Sequence, residues 1–144
     1  MEICDNDLNW LAGLLEGEGS FMMGRNWVNG KLYLYPRIVV SMTDADVIER
    51  VARLFGTSVY VVPPSKSADR KHYKQQWRAQ VNGARAAHLM EQLLPIMGGR
   101  RASKIKEILA DYGEIEPTEV RRRRSCQNAA ALRKRENGKF ISSK

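Results

Sequence analysis

The chain has 144 residues, 43% of them hydrophobic, which is enough for one domain with a buried core. Its 24 Lys and Arg exceed its 16 Asp and Glu by eight, and a basic surplus favours a polyanionic partner such as nucleic acid. No apolar run could span a bilayer, the N-terminus is unlike a signal peptide, and two isolated cysteines offer no zinc site, so membrane and zinc-dependent classes are excluded.

The first predicted element is a helix that ends in glycines. One apolar stripe follows the helical spacing i, i+3, i+4, i+7: Leu8, Leu11, Ala12 and Leu15. A second stripe lies beside it: Trp10, Gly13, Leu14 and Gly17. Because glycines carry no side chain, another backbone can approach this second stripe closely. We expect Asp5, Asn6 or Asp7 to cap the start and Glu18 to lie where the helix ends.

The stretch Leu11–Gly19 resembles the signature of the LAGLIDADG homing endonucleases position by position, with Glu16 and Glu18 replacing its two aspartates. The resemblance implies that two such helices pack side by side. It also implies that Glu18, at the eighth motif position, is catalytic and binds a divalent cation, expected to be Mg²⁺. For Glu16 we favour a cap or structural contact, with metal binding as the second interpretation.

The remaining elements are predicted from turn signals and periodicity. Asn29-Gly30 is typical of a type I′ hairpin turn between a strand at 20–27 and a return strand at 32–42. Pro36 in the return strand indicates an edge position or a bulge. The later elements are a helix at 44–55 ending at Gly56, strands at 58–62 and 75–81, a helix from 83 to about 94 and a last helix at 103–112.

This order predicts an α+β fold, with an αββαββα core and one antiparallel four-stranded sheet, and it is the element order of a single LAGLIDADG core. We place that domain at 1–113. The segment 114–144 has nine Lys and Arg against four Asp and Glu, and is predicted to be a basic, flexible tail that contacts DNA.

Strand alternation separates a polar from an apolar sheet face, and the polar face carries side chains suited to base edges. The residues predicted to contact DNA, on the strands, in the loop at 63–74 and after Pro95, are Arg25, Arg37, Ser41, Lys66, Lys71, Lys74, Gln76, Arg78, Gln80 and Arg101. Arg25 shares its parity with apolar residues, so its face is mixed. For the loop, phosphate contact and a merely solvated loop stay open.

The segment Leu93–Arg101 resembles a second family feature, a Leu-x-Pro run followed by a basic residue that reaches the active site. That position is Arg100, where the family often has lysine. Arginine can stabilise phosphate charge but cannot shuttle a proton, because it does not deprotonate. Arg101 is the substitute, expected to contact backbone phosphate, and a plain helix cap with two surface arginines stays open.

Only one motif occurs in the sequence, and in this family single-motif chains dimerise. We therefore expect a homodimer whose interface includes Trp10, Gly13, Leu14 and Gly17.

The resemblance implies a site-specific homing endonuclease that makes metal-dependent staggered cuts in double-stranded DNA. Since no targeting signal is recognised, we expect it in the cytoplasm of a phage, bacterial or organellar host. Three alternatives stay open: a non-catalytic DNA-binding regulator on the same fold, an intron maturase that binds RNA, and a small homodimeric interaction protein.

Overall fold

A computed structural model describes residues 2–64 and 74–115. The elements in chain order are helix α1 (Asp5–Glu18), strands β1 (Gly19–Val28) and β2 (Lys31–Met42), helix α2 (Ala45–Phe55), strands β3 (Tyr60–Val61) and β4 (Trp77–Asn82), helix α3 (Gly83–Leu93), a 3₁₀ turn (Leu94–Ile96) and helix α4 (Gly99–Ile115). The predicted order of helices and strands is confirmed. Among the described helices none is both long and apolar enough to cross a membrane.

The strands form one antiparallel sheet in the order β1-β2-β4-β3. The hairpin between β1 and β2 turns at Asn29 and Gly30, whose φ angles are 51° and 77°. Both central residues of a type I′ turn need positive φ, so the predicted turn is confirmed. The third strand has two residues instead of the predicted five, because only Tyr60 and Val61 pair with β4.

Pro36 occupies the part of β2 that has a single neighbour. It lies opposite Met23 of β1, whereas the pairing of β2 with β4 begins only at Arg37. The register runs past Pro36 without an extra residue, so the edge interpretation is confirmed and the bulge is wrong.

The core lies between one face of the sheet and the helices. Ile38 and Val40 of β2 and Ala79 and Val81 of β4 are buried, as the alternation predicts. Helices α2 and α3 contact these two strands. The helix side chains buried there include Leu11, Leu15, Ile48, Val51, Phe55, Met90, Leu93, Ile105 and Ile108. On the opposite face of the sheet Arg78 is exposed, and Arg37, Ser41 and Gln80 are half-buried.

Two predicted helix starts are wrong. Helix α1 has Cys4 at its N-cap position, and no side chain caps it. Asp7 instead accepts hydrogen bonds from the Arg50 guanidinium (2.9 Å) and the Cys4 thiol (3.3 Å). Helix α4 begins at Gly99, four residues before the predicted Ser103, so Arg100 and Arg101 lie in its first turn.

Asp7 gives the fold an acid-sensitive contact between α1 and α2. The hydrogen bond from Arg50, assisted by that from Cys4, holds the pKa of Asp7 below its usual 3.8. A carboxyl whose folded-state pKa is lowered contributes stability above its unfolded-state pKa, and loses it as the pH falls through the folded value. We therefore expect Asp7→Asn to lose less stability than the parent between about pH 5 and pH 3.

The measurement is the urea midpoint across that pH range. Asp46→Asn is the matched control, since Asp46 is exposed in the first turn of α2. An Asp7→Asn midpoint that falls as steeply as the parent's would contradict the prediction.

Candidate catalytic and nucleic-acid-binding site

Glu18 is the last residue of α1 and its carboxylate is exposed. The helix is anchored by Leu11 and Leu15, which are fully buried, and its end is fixed when the Gly19 amide donates to the Leu15 carbonyl. A Cβ at Gly19 would lie 2.5 Å from Leu15 Cδ2 and 2.9 Å from the Leu15 backbone, so only glycine fits there. The chain then continues directly into β1, which places the acid at one end of the sheet.

Glu16, in the last turn of α1, binds the start of α4. Its carboxylate accepts a hydrogen bond from the Gly98 amide, just before the first residue of that helix. Unpaired amides and the helix dipole make a helix N-terminus favourable for a carboxylate. The structural contact predicted for Glu16 is therefore observed, and it connects residues 82 apart in sequence.

Arg101 makes the reverse contact from α4 to the end of α1. Its guanidinium donates to the carbonyls of Gly19 and, at 3.2 Å, of Glu16. A cation is favoured at a helix C-terminus, where carbonyls lack partners. Two nitrogens of Arg101 are thus used within the chain, so Arg101 makes a structural contact. Its predicted contact with backbone phosphate stays a prediction.

We expect Arg101→Ala to destabilise the fold by about 1–3 kcal/mol, because carbonyls at the end of α1 lose charged hydrogen-bond donors. Urea unfolding measures this effect. Lys106→Ala is the control, since Lys106 is exposed on the same helix and should change stability by less than about 0.5 kcal/mol. Equal stability of the two variants would contradict the structural assignment.

Arg100 lies with Lys104 in a shallow depression beside the end of α1. Its lining residues are Gly19, Ser20, Arg100, Arg101, Ser103, Lys104 and Glu107. Lys104 is exposed and only loosely paired, with Nζ 3.8 Å from a Glu107 carboxylate oxygen. Sequence reasoning missed Ser20, Ser103 and Lys104, although the last two share a helix face with Arg100 at i+3 and i+4.

No group of three or more Asp, Glu, His or Cys side chains that could hold a metal occurs in residues 2–64 and 74–115. Within these ranges the last turn of α1 has two exposed carboxylates, of which Glu16 is bound to the Gly98 amide, so Glu18 is the one that one chain offers to a cation. An oxygen ligand of this kind suits a hard divalent cation such as Mg²⁺. The site fits such an ion if the remaining oxygens come from a second chain and from phosphate.

The polar face of the sheet brings together several residues predicted to contact DNA. Arg37 of β2 pairs with Asn82 of β4, and Ser41 pairs with Arg78. Gln80 points to the same face, opposite Val39. Tyr60 of β3 pairs with Arg78 and is 51% exposed, so it belongs to this face although sequence reasoning missed it.

The other residues predicted to contact DNA lie on the apolar face of the sheet, just before β4 or outside the described residues. Arg25 lies opposite Leu34 and shares its face with Phe21 and Ile38, so it lies on the apolar side of the sheet. Lys74 and Gln76 are exposed just before β4. Lys66 and Lys71, and all of the tail beyond Ile115, lie outside the described residues.

The second stripe of α1 is open in the described part of the chain. Gly13 and Gly17 are exposed, and a Cβ built on either would meet no atom within 4 Å. Trp10 and Leu14 are half-buried beside them against the core. The Arg50 guanidinium lies 3.9 Å from the centroid of the Trp10 ring, which fixes one edge of this stripe.

Comparison with sequence families and with curated proteins finds no match, whereas comparison with solved structures does. The homing endonuclease I-CvuI, in complex with its target in the presence of Ca, superposes with a TM-score of 0.58 at 17% identity, over 79% of this chain and 70% of that one. I-CvuI with the I-CreI target and Mg gives a TM-score of 0.53 at 18% identity, over 73% and 64%. The LAGLIDADG homing endonuclease I-GzeII, in complex with its DNA target, gives 0.52 at 12%, over 74% and 36%.

The chain thus spans less than two thirds of I-GzeII and of I-CvuI in its Mg complex. These likenesses show that the chain has the LAGLIDADG homing endonuclease fold, as the resemblance of Leu11–Gly19 implied.

Proposed function

We propose that this protein is a homodimeric endonuclease that makes metal-dependent, staggered double-strand cuts at a long, specific DNA site. One observation carries the proposal: the exposed Glu18 carboxylate ends a helix whose glycine stripe is open, and that helix leads directly into the sheet that bears Arg37 and Arg78. The acid that would cleave, the helix stripe that would contact a second copy and the sheet face that would bind DNA therefore belong to consecutive elements of the chain.

A homodimer would supply one acid for each DNA strand. Because the two strands are antiparallel, two equivalent sites related by a two-fold axis would each face one strand. Contact between the stripes of two copies, through Trp10, Gly13, Leu14 and Gly17, would bring the two Glu18 carboxylates together at that axis. Two carboxylates that approach each other repel unless a cation lies between them.

The Glu18 residues of both copies would hold the divalent cation together with phosphate oxygens. When bound, Mg²⁺ supplies an activated water and stabilises the charge of the leaving oxygen. Arg100, in the depression beside the helix end, would stabilise the phosphate charge through two parallel hydrogen bonds. Arg100 does not deprotonate, so it cannot act as a general acid or base, and proton transfer falls to water or to another group.

Recognition is assigned to different residues from cleavage. The polar sheet face would contact base edges in the major groove, while Lys66, Lys71 and the basic tail would contact phosphates. The binding of DNA and its cleavage can therefore be measured and altered separately.

The test uses the full chain with a library of randomised duplex DNA and, in parallel, a library of structured RNA. With Mg²⁺, new double-strand ends are captured and sequenced; with Ca²⁺, bound duplexes are recovered. Cleavage at a recurring sequence supports the proposal. Selective DNA binding without any cleavage would support a regulator, and preferential binding of RNA would support a maturase. If the protein binds neither DNA nor RNA, the interaction protein is the remaining alternative.

A further inference from the structure

The two arginines in the middle of the polar face are held in different ways. Arg37 is bound twice by its own sheet, since Nε donates to Asn82 Oδ1 (3.0 Å) and Nη2 donates to the Tyr35 hydroxyl. Its guanidinium also lies 5.2 Å from the centroid of the Tyr35 ring. Arg78 is bound once, through Nε to Ser41 Oγ (3.1 Å).

This difference decides which arginine can bind a base. Arg78 is exposed, and among residues 2–64 and 74–115 no acceptor binds its two terminal nitrogens. An arginine held at Nε presents its terminal nitrogens as a pair in one plane. The matching pair of acceptors in the major groove is O6 and N7 of guanine. In Arg37 the terminal nitrogen Nη2 already donates to the Tyr35 hydroxyl, so its two terminal nitrogens are not both free for a base.

The surroundings of Arg78 also favour a base edge. In the register of the sheet, Arg78 lies between Ser41 on β2 and Tyr60 on β3. Arg78 and Gln80 line a shallow depression together with the apolar groups of Tyr60, Val61 and Pro63. A partly apolar wall beside a charged donor pair suits a base edge, which has carbon-bound groups beside its acceptors, better than a phosphate, whose exposed atoms are charged oxygens.

We propose that Arg78 is a guanine-reading residue, that Ser41 is its positioning residue, and that Arg37 supports the sheet without choosing a base. This inference rests on the proposed DNA binding, and it specifies that each copy of the protein selects a guanine. A bidentate arginine–guanine pair discriminates by about five- to 150-fold against another base.

The experiment selects duplexes from a randomised library in Ca²⁺ with the full chain and its variants, and then measures affinities for single-base changes. The preference of the parent for one guanine should fall several-fold in Arg78→Lys, because lysine keeps the charge but loses the planar pair of donors. Replacing that guanine with 7-deazaguanine, which lacks the N7 acceptor, should weaken binding by the parent more than binding by Arg78→Lys.

Matched variants separate selection from affinity. Arg37→Lys is expected to keep the preference for that guanine, even where its affinity falls for all sequences alike. Ser41→Ala should reduce the preference several-fold, and Ser41→Thr, which retains the hydroxyl, should restore it. This restoration would not be expected if Ser41 only supported the fold.

Each other outcome is informative. A guanine preference that is undiminished in Arg78→Lys, or that disappears in Arg37→Lys, overturns the proposal while DNA recognition stands. Selection of a sequence in which no guanine depends on Arg78 overturns it as well. If the parent selects no duplex at all, the proposed DNA-binding function fails, and this proposal fails with it.

Discussion

Glu18→Gln should lower the rate of DNA cleavage by at least about 100-fold, because loss of a charged ligand or catalytic group removes several kcal/mol of transition-state stabilisation. DNA binding in Ca²⁺ should change little, since the proposed binding surface is the sheet. The fold should be unaffected, because Glu18 is exposed at the helix end and glutamine keeps its size. Cleavage rate with Mg²⁺ and affinity with Ca²⁺ are the two measurements.

Glu16→Gln is the matched control, being the same substitution two residues away. Its carboxylate binds the start of α4, so we expect a small loss of stability while most of the cleavage is retained in the folded protein. Cleavage by Glu18→Gln at the rate of the parent would remove Glu18 from the mechanism and contradict the proposed function.

Gly13→Leu should convert the proposed dimer into a monomer that cannot cut both strands. In the single chain a Cβ at Gly13 meets no atom within 4 Å, so the fold tolerates a side chain there. Leucine also favours the helix over glycine by up to about 1 kcal/mol. Between two copies, in contrast, added bulk where backbones meet costs about 1–3 kcal/mol or more in each half.

Sedimentation of the free and DNA-bound protein, with thermal unfolding, measures this effect. Lys106→Leu is the control, because it adds the same apolar group to an exposed position of another helix and should leave the dimer intact. A parent protein that is monomeric on DNA, or a Gly13→Leu variant that still dimerises, would rule out this interface.

What the sequence predicted well depends on local physical rules. The buried stripe of α1, the turn at Asn29-Gly30 and the alternation in β4 each follow from helical spacing, positive φ or side-chain period. The end of α2 is also local, because Gly56 adopts the left-handed conformation (φ 69°) that glycine tolerates.

What the sequence predicted badly depends on distant partners. Asp7 looked like a cap, but Arg50 of another helix binds it. The start of α4 has no cap residue of its own, since its cap is the carboxylate of Glu16, 82 residues earlier. No local pattern carries that information.

The candidate site shows the same division. The position of Glu18 at a helix end could be predicted from its neighbours, whereas the different bonding of Arg37 and Arg78 depends on cross-strand partners. Arg25 could not be assigned a face until the register with β2 was known. The predicted domain boundary, the phosphate contacts of Lys66 and Lys71 and the role of the tail stay predictions.

Glu16 and Arg101 bind backbone groups of opposite polarity, and this limits which substitutions the two positions tolerate. In an ion pair between two side chains, exchanging the acidic and the basic residue still leaves opposite charges facing each other. Here each charge binds a different kind of backbone group, Glu16 an amide and Arg101 two carbonyls. A charge swap would set an anion against carbonyls and a cation against an amide, so neither residue can exchange roles with the other. We expect the tolerated substitutions to be those that keep a hydrogen-bond acceptor at position 16 and a hydrogen-bond donor at position 101.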